Sequence, residues 1–563
     1  MTTQPELTAA NCLAATHEVS NQPDPLLDYN LYTTDAALQE AVKRHGGIWA
    51  EAEISAHGAR CGESRTYDWG FLANEYKPRF FSHDRQGYRV DLVRYHESYH
   101  ALLGLGLEAG LHSSPWTDPG PGAHVARAAK YYLQSQVESG HGCPLTMTFA
   151  SIPTLRLTPA LAQAWIPKVL NRAYDPANRP HTDKQALTIG MGMTEKQGGS
   201  DVRSNTTSAM PVNAAGPGEE YELVGHKWFT SAPMCDAFLV LAQASAGLSC
   251  FLVPRWRPDG SKNPLQVQRL KDKMGNVANA SSEIELRGAL GWLVGEEGRG
   301  VAAILEMVAM TRFDCMLGSS AAQRQAVAQA ANHAAGRSAF GKYLIDQPLM
   351  RNVLADLQLE LEGSLAFTMR MAQALDRSLA AQPDEHDRLL LRLGLPTGKY
   401  WICKRAPAHT YEAMECLGGN GVSEDFILAR LYRDAPINAI WEGSGNVQAL
   451  DMLRAVERSP QVLDTWFAEL DKSRGGHRLL DESIHSLREQ LQDTDQLEYR
   501  ARTLVDQLAL TMQAGLLLQA GNTAVAEAFI AARLGQQGAR HYGTLPRGLA
   551  VDELVARALP RVS

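Results

Sequence analysis

Residues 191–207 read Met-Gly-Met-Thr-Glu-Lys-Gln-Gly-Gly-Ser-Asp-Val-Arg-Ser-Asn-Thr-Thr. Two adjacent glycines, a run of hydroxyl side chains and an acid stand together where no apolar period runs. The lead-in, Ala186 to Met193, has a buried character. Glycine lets backbone approach a ligand closely, and Thr194, Ser200 and Ser204 can donate to phosphate or carbonyl oxygens. The same composition also suits a plain hydroxyl-rich turn between two strands. Other stretches of the chain favour the ligand-binding reading.

At 563 residues the chain has length for about three or four compact units with shared interfaces. A formal charge of -8 excludes a protein whose whole surface is a footprint for nucleic acid or anionic membrane, while a local basic patch stays open. The eight cysteines (Cys12, Cys61, Cys143, Cys235, Cys250, Cys315, Cys403, Cys416) form no C-x-x-C pair. That is the pattern of reduced, mostly buried thiols, so a cytoplasmic location is expected. Met1 to Ser20 carries no lysine or arginine and no sustained apolar core, which argues against a presequence. No apolar run is long enough to span a bilayer, so no membrane partner is expected.

Along the chain, Asn21 to Thr34 reads as an extended arm. Leu26, Leu27, Leu31 and Tyr32 give it something to bury against a neighbouring subunit, where a frayed terminus would have nothing. From Asp35 to about Lys184 the signals are mostly helical. Asp35 is placed to cap Ala36 to His45, and His124 to Gln136 is rich in alanine and long side chains. Glu220–Val224, Ala237–Gln243, Ser249–Val253 and Ser282–Leu286 are short β-rich runs bounded by Gly, Pro, Asn and Asp. After Gly300 helical patterns return over Val301–Met310, Ser319–His333, Leu349–Leu375 and Ala406–Leu417, and the last hundred or so residues are again helical. The expected fold is mainly α with a central β-barrel or β-sheet domain.

Two common patterns carry little weight here. Gly104-Leu-Gly106-Leu-Glu-Ala-Gly110 misses the dinucleotide-binding glycine spacing by one and reads as a helix end. His96-Glu97-Ser98-Tyr99-His100 is a formal H-E-x-x-H, whose chemistry would be zinc hydrolysis, but no third ligand motif accompanies it. No metal site is expected.

Three further stretches are more informative. Gly225-His-Lys-Trp-Phe-Thr-Ser231 ends a strand in two aromatics and two hydroxyls, which suits a planar ligand needing stacking plus an edge hydrogen bond, or simply a core tryptophan. Arg337-Ser-Ala-Phe340-Gly341 with Gln347 could clamp a pyrophosphate and cover an aromatic base. In Ile440-Trp-Glu442-Gly-Ser-Gly-Asn446 an acid stands between a tryptophan and a glycine. Partial desolvation there would raise its pKa and make it a better proton acceptor; capping the next helix is the plainer role.

Together these stretches resemble the acyl-CoA dehydrogenase flavoprotein family. Met193-Thr-Glu-Lys-Gln-Gly-Gly-Ser-Asp201 resembles its T-E-x-x-x-G-S-D loop, and Gly225 to Ser231 its G-x-K-x-W-I-T strand. Arg337 to Gly341 with Gln347 resembles R-x-x-F-G…Q, Leu417-Gly-Gly-Asn-Gly421 resembles L-G-G-N-G, and Tyr432-Arg-Asp434 through Trp441-Glu-Gly443 resembles Y-R-D…Y-E-G-T. The N-terminal arm, Leu270-Lys-Asp-Lys, Met310-Thr-Arg-Phe-Asp314 and the helical C-terminal extension resemble an isovaleryl-CoA-dehydrogenase-like branch induced by alkylating agents.

The resemblance implies FAD as cofactor and an acyl-CoA or related small molecule as substrate. Met191, Gly192, Met193, Thr194, Gly199 and Ser200 would meet the isoalloxazine edge and the phosphates. Phe229 would flank the flavin and Ser231 would bond N5 if Lys227 is the motif lysine; a slip of one residue gives those roles to Trp228 and Thr230. Arg337, Phe340, Gln347, Gly418 and Gly419 would hold the adenine half, partly across a dimer interface, and Ile440, Trp441, Ser444 and Asn446 complete the cradle. Glu442 would be the catalytic base, because the alternative helix position holds Thr311, which cannot serve. The implied reaction is α,β-dehydrogenation of an acyl thioester, with the α-proton going to Glu442 and the β-hydride to flavin N5.

The implied domains are an N-terminal arm making oligomer contacts (1–34), a helical domain (35–186), a β-barrel domain (187–290), a helical FAD and catalytic domain (291–457) and a helical extension (458–563). The branch also implies a homotetramer, a dimer of dimers, and binding of double-stranded DNA. From Pro460 to Ser563 eleven lysines and arginines face thirteen acids, so a DNA-binding patch forms only if Arg454, Arg500, Arg502, Arg533 and Arg540 converge in space or if four subunits juxtapose theirs. Three functions stay open: an adaptive-response flavoprotein with weak isovaleryl-CoA dehydrogenase activity, a metabolic short- or branched-chain acyl-CoA dehydrogenase without a DNA role, and the zinc hydrolase.

Overall fold

Asp35 caps the first helix as its position predicts, its carboxylate accepting from the Leu38 N–H at 3.1 Å. The computed structural model of the protein describes residues 16–535 and 541–560. The N-terminal domain runs α1 (Ala36–Arg44), α2 (Glu51–Gly62), α3 (Ser64–Glu75), a hairpin of β1 (Arg79–His83) and β2 (Arg89–Arg94), then α4 (Glu97–Glu108), the short α5 (Ser114–Thr117), α6 (Ala123–Ser135), α7 (Gly142–Arg156) and α8 (Pro159–Val169). The hairpin is a feature that the mostly helical expectation omits. It forms because Phe80 and Phe81 pair with Val93 and Leu92 across a turn that Asp84 closes.

The central domain contains β3 (Ile189–Gly192), β4 (Ser208–Pro211), β5 (Glu220–Ser231), β6 (Ala237–Ala244), β7 (Gly247–Pro254), β8 (Leu265–Leu270) and β9 (Ser281–Val294). The order β3-β6-β4-β5-β9-β7 closes on itself because β6 also pairs with β7, which makes a small barrel. Ala237–Ala242 and Ser249–Pro254 are buried throughout, as near-continuous apolar strands should be. β5 and β9 are longer than local sequence suggests. Their pairing runs from Glu220↔Trp292 to Ser231↔Ser281, passing irregularities between Leu223 and Val224 and between Lys227 and Thr230, so cross-strand contact overrides the interruptions.

The second helical part holds α9 (Gly300–Gly336), the small hairpin β10 (Ser338–Ala339) and β11 (Lys342–Tyr343), α10 (Pro348–Ser378), α11 (Glu385–Glu415), α12 (Ile427–Ile440) and α13 (Gly445–Arg458). Two expected helices merge into α9. Likewise α11 begins more than a turn before Pro396 and passes Pro407, whereas the sequence pattern suggests helix only from Ala406. Packing against α9, α10 and α12 holds α11 helical through its prolines, each of which removes one backbone donor. Ala303 to Met310 of α9 belong to the core of the barrel domain, and Phe313 onward to the core of the helical domains. The helix therefore crosses from one core to the other at Thr311–Arg312.

The extension is α14 (Gln461–Asp471), α15 (Arg478–Gln492), α16 (Leu497–Ala520), α17 (Thr523–Arg533) and α18 (Val551–Ala558). Leu504, Leu508, Met512 and Phe529 join the same core as α10 and α11. Leu26, Leu31 and Tyr32 of the arm are buried in this chain's own core, so the apolar groups read as reserved for a neighbour are already covered. Cys12 and Arg540 lie outside the described residues; the other seven cysteines are buried and unpaired. No helix among the described residues is long and apolar enough to cross a membrane.

Candidate active site

The 191–207 segment begins as β3, which runs parallel to β6 with Met191 opposite Leu239. It then turns at Glu195–Gly198, whose backbones exchange hydrogen bonds of 3.2 and 3.1 Å. The anchor of this turn is a residue the sequence reading passed over. Glu195 is fully buried, its carboxylate accepting from Lys227 Nζ at 2.6 Å, from Thr206 N at 2.7 Å and from Thr207 N at 3.2 Å. Burial alone would raise its pKa, but Lys227 and the threonine donors outweigh burial and hold it at about 2. The motif acid and the motif lysine are thus one buried ion pair that fixes the turn to β5. A side chain at Gly199 would collide with Thr194, and Gly199 and Ser200 are exposed, so the turn offers open backbone to a ligand.

On β5 the buried Lys227 fixes the register. The bulge between Lys227 and Thr230 turns Phe229 outward, 49 % exposed, while Thr230 is fully buried. Ser231 is half-buried, its hydroxyl 3.1 Å from that of Ser281. Lys271 Nζ lies 3.2 Å from the Trp228 ring centroid and 4.6 Å from that of Phe229. The buried Thr230 hydroxyl has no protein partner, whereas that of Ser231 meets Ser281, so both residues stay candidates for the flavin edge.

Glu442 lies in the turn between α12 and α13 with φ +57, a left-handed conformation uncommon for a side-chain residue. Several donors hold it there. Arg312 Nε and Gln448 Nε2 donate to its carbonyl at 3.1 and 2.9 Å, and Lys399 Nζ donates to the carbonyls of Trp441, at 2.7 Å, and Gly443. Arg312 is itself oriented by Asp451 at 2.6 Å. The carboxylate accepts a 2.8 Å hydrogen bond from Thr311 Oγ1. Burial pushes the Glu442 pKa up, with Thr311, Arg312 and Lys399 opposing that shift only in part. The result is an acid poised to take a proton, facing a cavity that Met191 and Trp441 also line. Lys399 and Gln448 carry no local sequence signal for this role; Arg312 and Thr311 stand in the Met310–Asp314 phrase.

Several other candidates sit on and beside the β10–β11 hairpin. Arg337 Nη1 donates to the Asn21 carbonyl at 2.8 Å, and Gln347 Nε2 donates to the Ala339 carbonyl at 3.1 Å. Phe340, 100 % exposed at φ +52, projects from the tip of the β10–β11 hairpin. Open space surrounds Gly418 and Gly419, and Asn420 Nδ2 reaches Gln22 of the arm. Ile440, Ser444 and Asn446 are exposed, and Asn446 Oδ1 accepts from Arg502 Nε at 2.9 Å. The exposed aromatics, the open glycine backbone and the hydroxyl-bearing turn fit a planar ring with a pyrophosphate arm.

The proposed basic patch does not assemble as expected. Arg533 is buried on Asp356 at 2.6 Å and Glu360 at 3.2 Å, so it clamps α17 to α10 and is withdrawn from the surface. Arg500 turns back onto the Asp493 and Asp495 carbonyls, leaving Arg454 and Arg502 exposed. The H-E-x-x-H residues are also dispersed: His96 caps α4 from outside the helix and stacks on Tyr76, while His100 bonds the Tyr174 hydroxyl.

A helical domain, a small closed barrel and a second helical domain meeting at a desolvated glutamate define an acyl-CoA dehydrogenase-type fold. In solved structures, the chain matches Caenorhabditis elegans ACDH-11 in complex with C11-CoA at TM-score 0.83 and 26% identity, over 98% of this chain and 94% of that one. It matches Bd2924 in its apo form at TM-score 0.82 and 28% identity, over 90% of this chain and 100% of that one. Residues 21–176 match the adaptive response protein AidB N-terminal domain, 190–289 the acyl-CoA dehydrogenase middle domain and 298–457 the acyl-CoA dehydrogenase C-terminal domain. The sequence is 45% identical to AidB of Escherichia coli (strain K12) over 525 residues, 93% of this chain and 95% of that protein. The chain belongs to the acyl-CoA dehydrogenase family, in the branch that carries the AidB N-terminal domain, and its cofactor is FAD.

Proposed function

We propose that the protein abstracts the α-proton of an acyl-CoA thioester with Glu442, as the first half of an α,β-dehydrogenation. The observation that carries this reading is the half-buried Glu442 carboxyl, held at an unusual backbone conformation by Arg312, Lys399 and Gln448 at the junction of two cores. So many fixed donors on the backbone leave the carboxylate with one hydrogen bond, from Thr311, and free to accept a proton. Met193, Thr194, Gly199, Ser200, Phe229 and Ser231 would hold the flavin end of FAD, which when bound accepts the β-hydride. Arg337, Phe340, Gln347, Gly418 and Gly419 would hold the adenine end of FAD from a second copy of the chain. Their fully exposed Phe340 and open glycines support a dimeric site within a homotetramer. The C11-CoA carried by ACDH-11 supports an acyl thioester as substrate.

The likeness to AidB supports the adaptive-response reading, with modest activity toward isovaleryl-CoA and binding of double-stranded DNA through Arg454 and Arg502. Buried, unpaired cysteines fit a cytoplasmic setting. FAD-loaded protein should bleach on addition of isovaleryl-CoA and reduce a dye acceptor. Protein that retains FAD yet stays oxidised with every short branched and straight acyl-CoA overturns the dehydrogenase reading.

A further inference from the structure

Glu442 opens onto a cavity whose wall is mostly apolar, with Met147, Met191 and Trp441 in its lining, and into which a few polar groups are set. No leucine, isoleucine, valine or phenylalanine lines it among the described residues. Tyr131 and Ser135 line it from α6 and Ser139 from beyond that helix; the Tyr131 hydroxyl donates to the Gly142 carbonyl at 3.3 Å and the Ser139 hydroxyl to Asn276 Oδ1 at 2.8 Å, so both are already partnered. Across from them α7 presents Cys143 and Thr146, three residues apart. The turn of α9 after Thr311 adds Asp314 and Cys315, and Gly318 follows one turn on.

Two of these walls hold hydrogen-bonding capacity that the chain does not use. Thr146 is buried and its hydroxyl has no protein partner. Asn438 accepts from Trp441 Nε1 at 3.0 Å through Oδ1, which turns its amide nitrogen toward Gly318; a Cβ at that glycine would stand 3.0 Å from Asn438 Nδ2. A buried hydroxyl without a partner is costly, and a ligand atom that bonds it removes that cost.

Charge narrows the choice. Both carboxylate oxygens of Asp314 are taken by Arg127 at 2.6 Å, and that ion pair is fully buried, so its charges cancel locally. Among the described residues no lysine and no arginine lines the cavity to meet a terminal carboxylate. The free volume, about 30 Å³, has room for about two water-sized groups.

We infer that the cavity beyond Glu442 receives a short, uncharged acyl group bearing a hydroxyl or other hydrogen-bonding substituent, recognised by Thr146 and Asn438. This deepens the dehydrogenase reading and rests on it. A site built to bond a hydroxyl rejects the analogue lacking it far more strongly than an apolar pocket rejects the reverse.

The test uses FAD-loaded Glu442→Gln, so that binding is read without turnover. It is titrated with 4-hydroxybutyryl-CoA and with pentanoyl-CoA, which replaces the hydroxyl by a methyl, and followed by the change in flavin absorbance. The hydroxy ester should bind at least about tenfold tighter. Thr146→Val in the same background, which keeps the side-chain shape and removes the hydroxyl, should shrink that preference several-fold. The ratio of kcat/KM for the two esters in the unaltered enzyme is the second measurement if Glu442→Gln does not keep its flavin. Equal or tighter binding of pentanoyl-CoA overturns the inference and leaves the dehydrogenase reading standing. If no acyl-CoA perturbs the flavin or is turned over, both fall.

Discussion

Thr311 Oγ1 donates to Glu442 Oε2 across 2.8 Å, tying the point where α9 passes between cores to the turn that carries the acid. The next residue, Arg312, holds the Glu442 carbonyl, so consecutive residues of one helix fix both the backbone and the carboxylate. The hydroxyl bonds the charged form of the acid and works against burial, which raises its pKa. Thr311→Val removes that opposition, so the Glu442 pKa should rise further. A base works only when deprotonated, so the rising limb of the pH–rate profile should move to higher pH. A limb that stays in place, or moves down, contradicts this role for Thr311.

Glu442→Gln keeps the size of the side chain and removes the base. Flavin content should be unchanged, and substrate-dependent bleaching should slow by about 10²–10⁴-fold, the usual worth of a positioned general base. Stopped-flow absorbance of the flavin band with isovaleryl-CoA measures it. Reduction at the unaltered rate rules Glu442 out as the base.

Lys227→Met leaves Glu195 buried without its cation. The loss should be about 3–5 kcal/mol of stability, read by chemical denaturation, because a lone buried carboxylate is poorly tolerated. The turn that should receive FAD is fixed by this pair, so the purified variant should also carry less flavin. The pH dependence follows from the depressed Glu195 pKa of about 2. A carboxyl lowered on folding stabilises fully above its unfolded value near 4.3 and loses that contribution as pH falls toward 2. Glu195→Gln should therefore flatten the acid side of the stability profile.

Arg533→Ala should destabilise the protein, since Asp356 and Glu360 lose a buried counter-ion; Glu360 is held at about 2, against its own burial, by Arg405 and Arg533. Arg454→Ala with Arg502→Ala should leave stability nearly unchanged and lower the slope of log affinity for duplex DNA against log salt by about 2. The reverse pattern, DNA affinity lost specifically on Arg533→Ala in protein that remains as stable, would return Arg533 to the nucleic-acid surface.

Much of this arrangement is written locally. The Thr194–Ser200 turn announces itself through paired glycines and hydroxyls, and Asp35 marks the first helix through its own side chain. Glu442 stands out by standing between a tryptophan and a glycine. What local pattern conceals is whatever a partner far along the chain supplies. Local pattern starts a helix only at Ala406, yet α11 begins at Glu385 and runs through Pro396 while packed against α9, α10 and α12. Arg533 looks like a surface cation until α10 brings Asp356 and Glu360 beneath it.

The amino-acid sequence by itself determined the order of helices, barrel and helices and the family motifs, and it put forward Glu442 as the candidate base. Each of these depends on short-range chemistry: periodicity, turn residues and the types of group in one stretch. Only the tertiary structure decided that the motif glutamate and lysine pair with each other, that Phe229 faces out while Thr230 faces in, and that residues of α6, α7 and α9 line one cavity. Burial and ion pairing are properties of surroundings assembled from distant segments, and no single stretch of chain carries its surroundings with it.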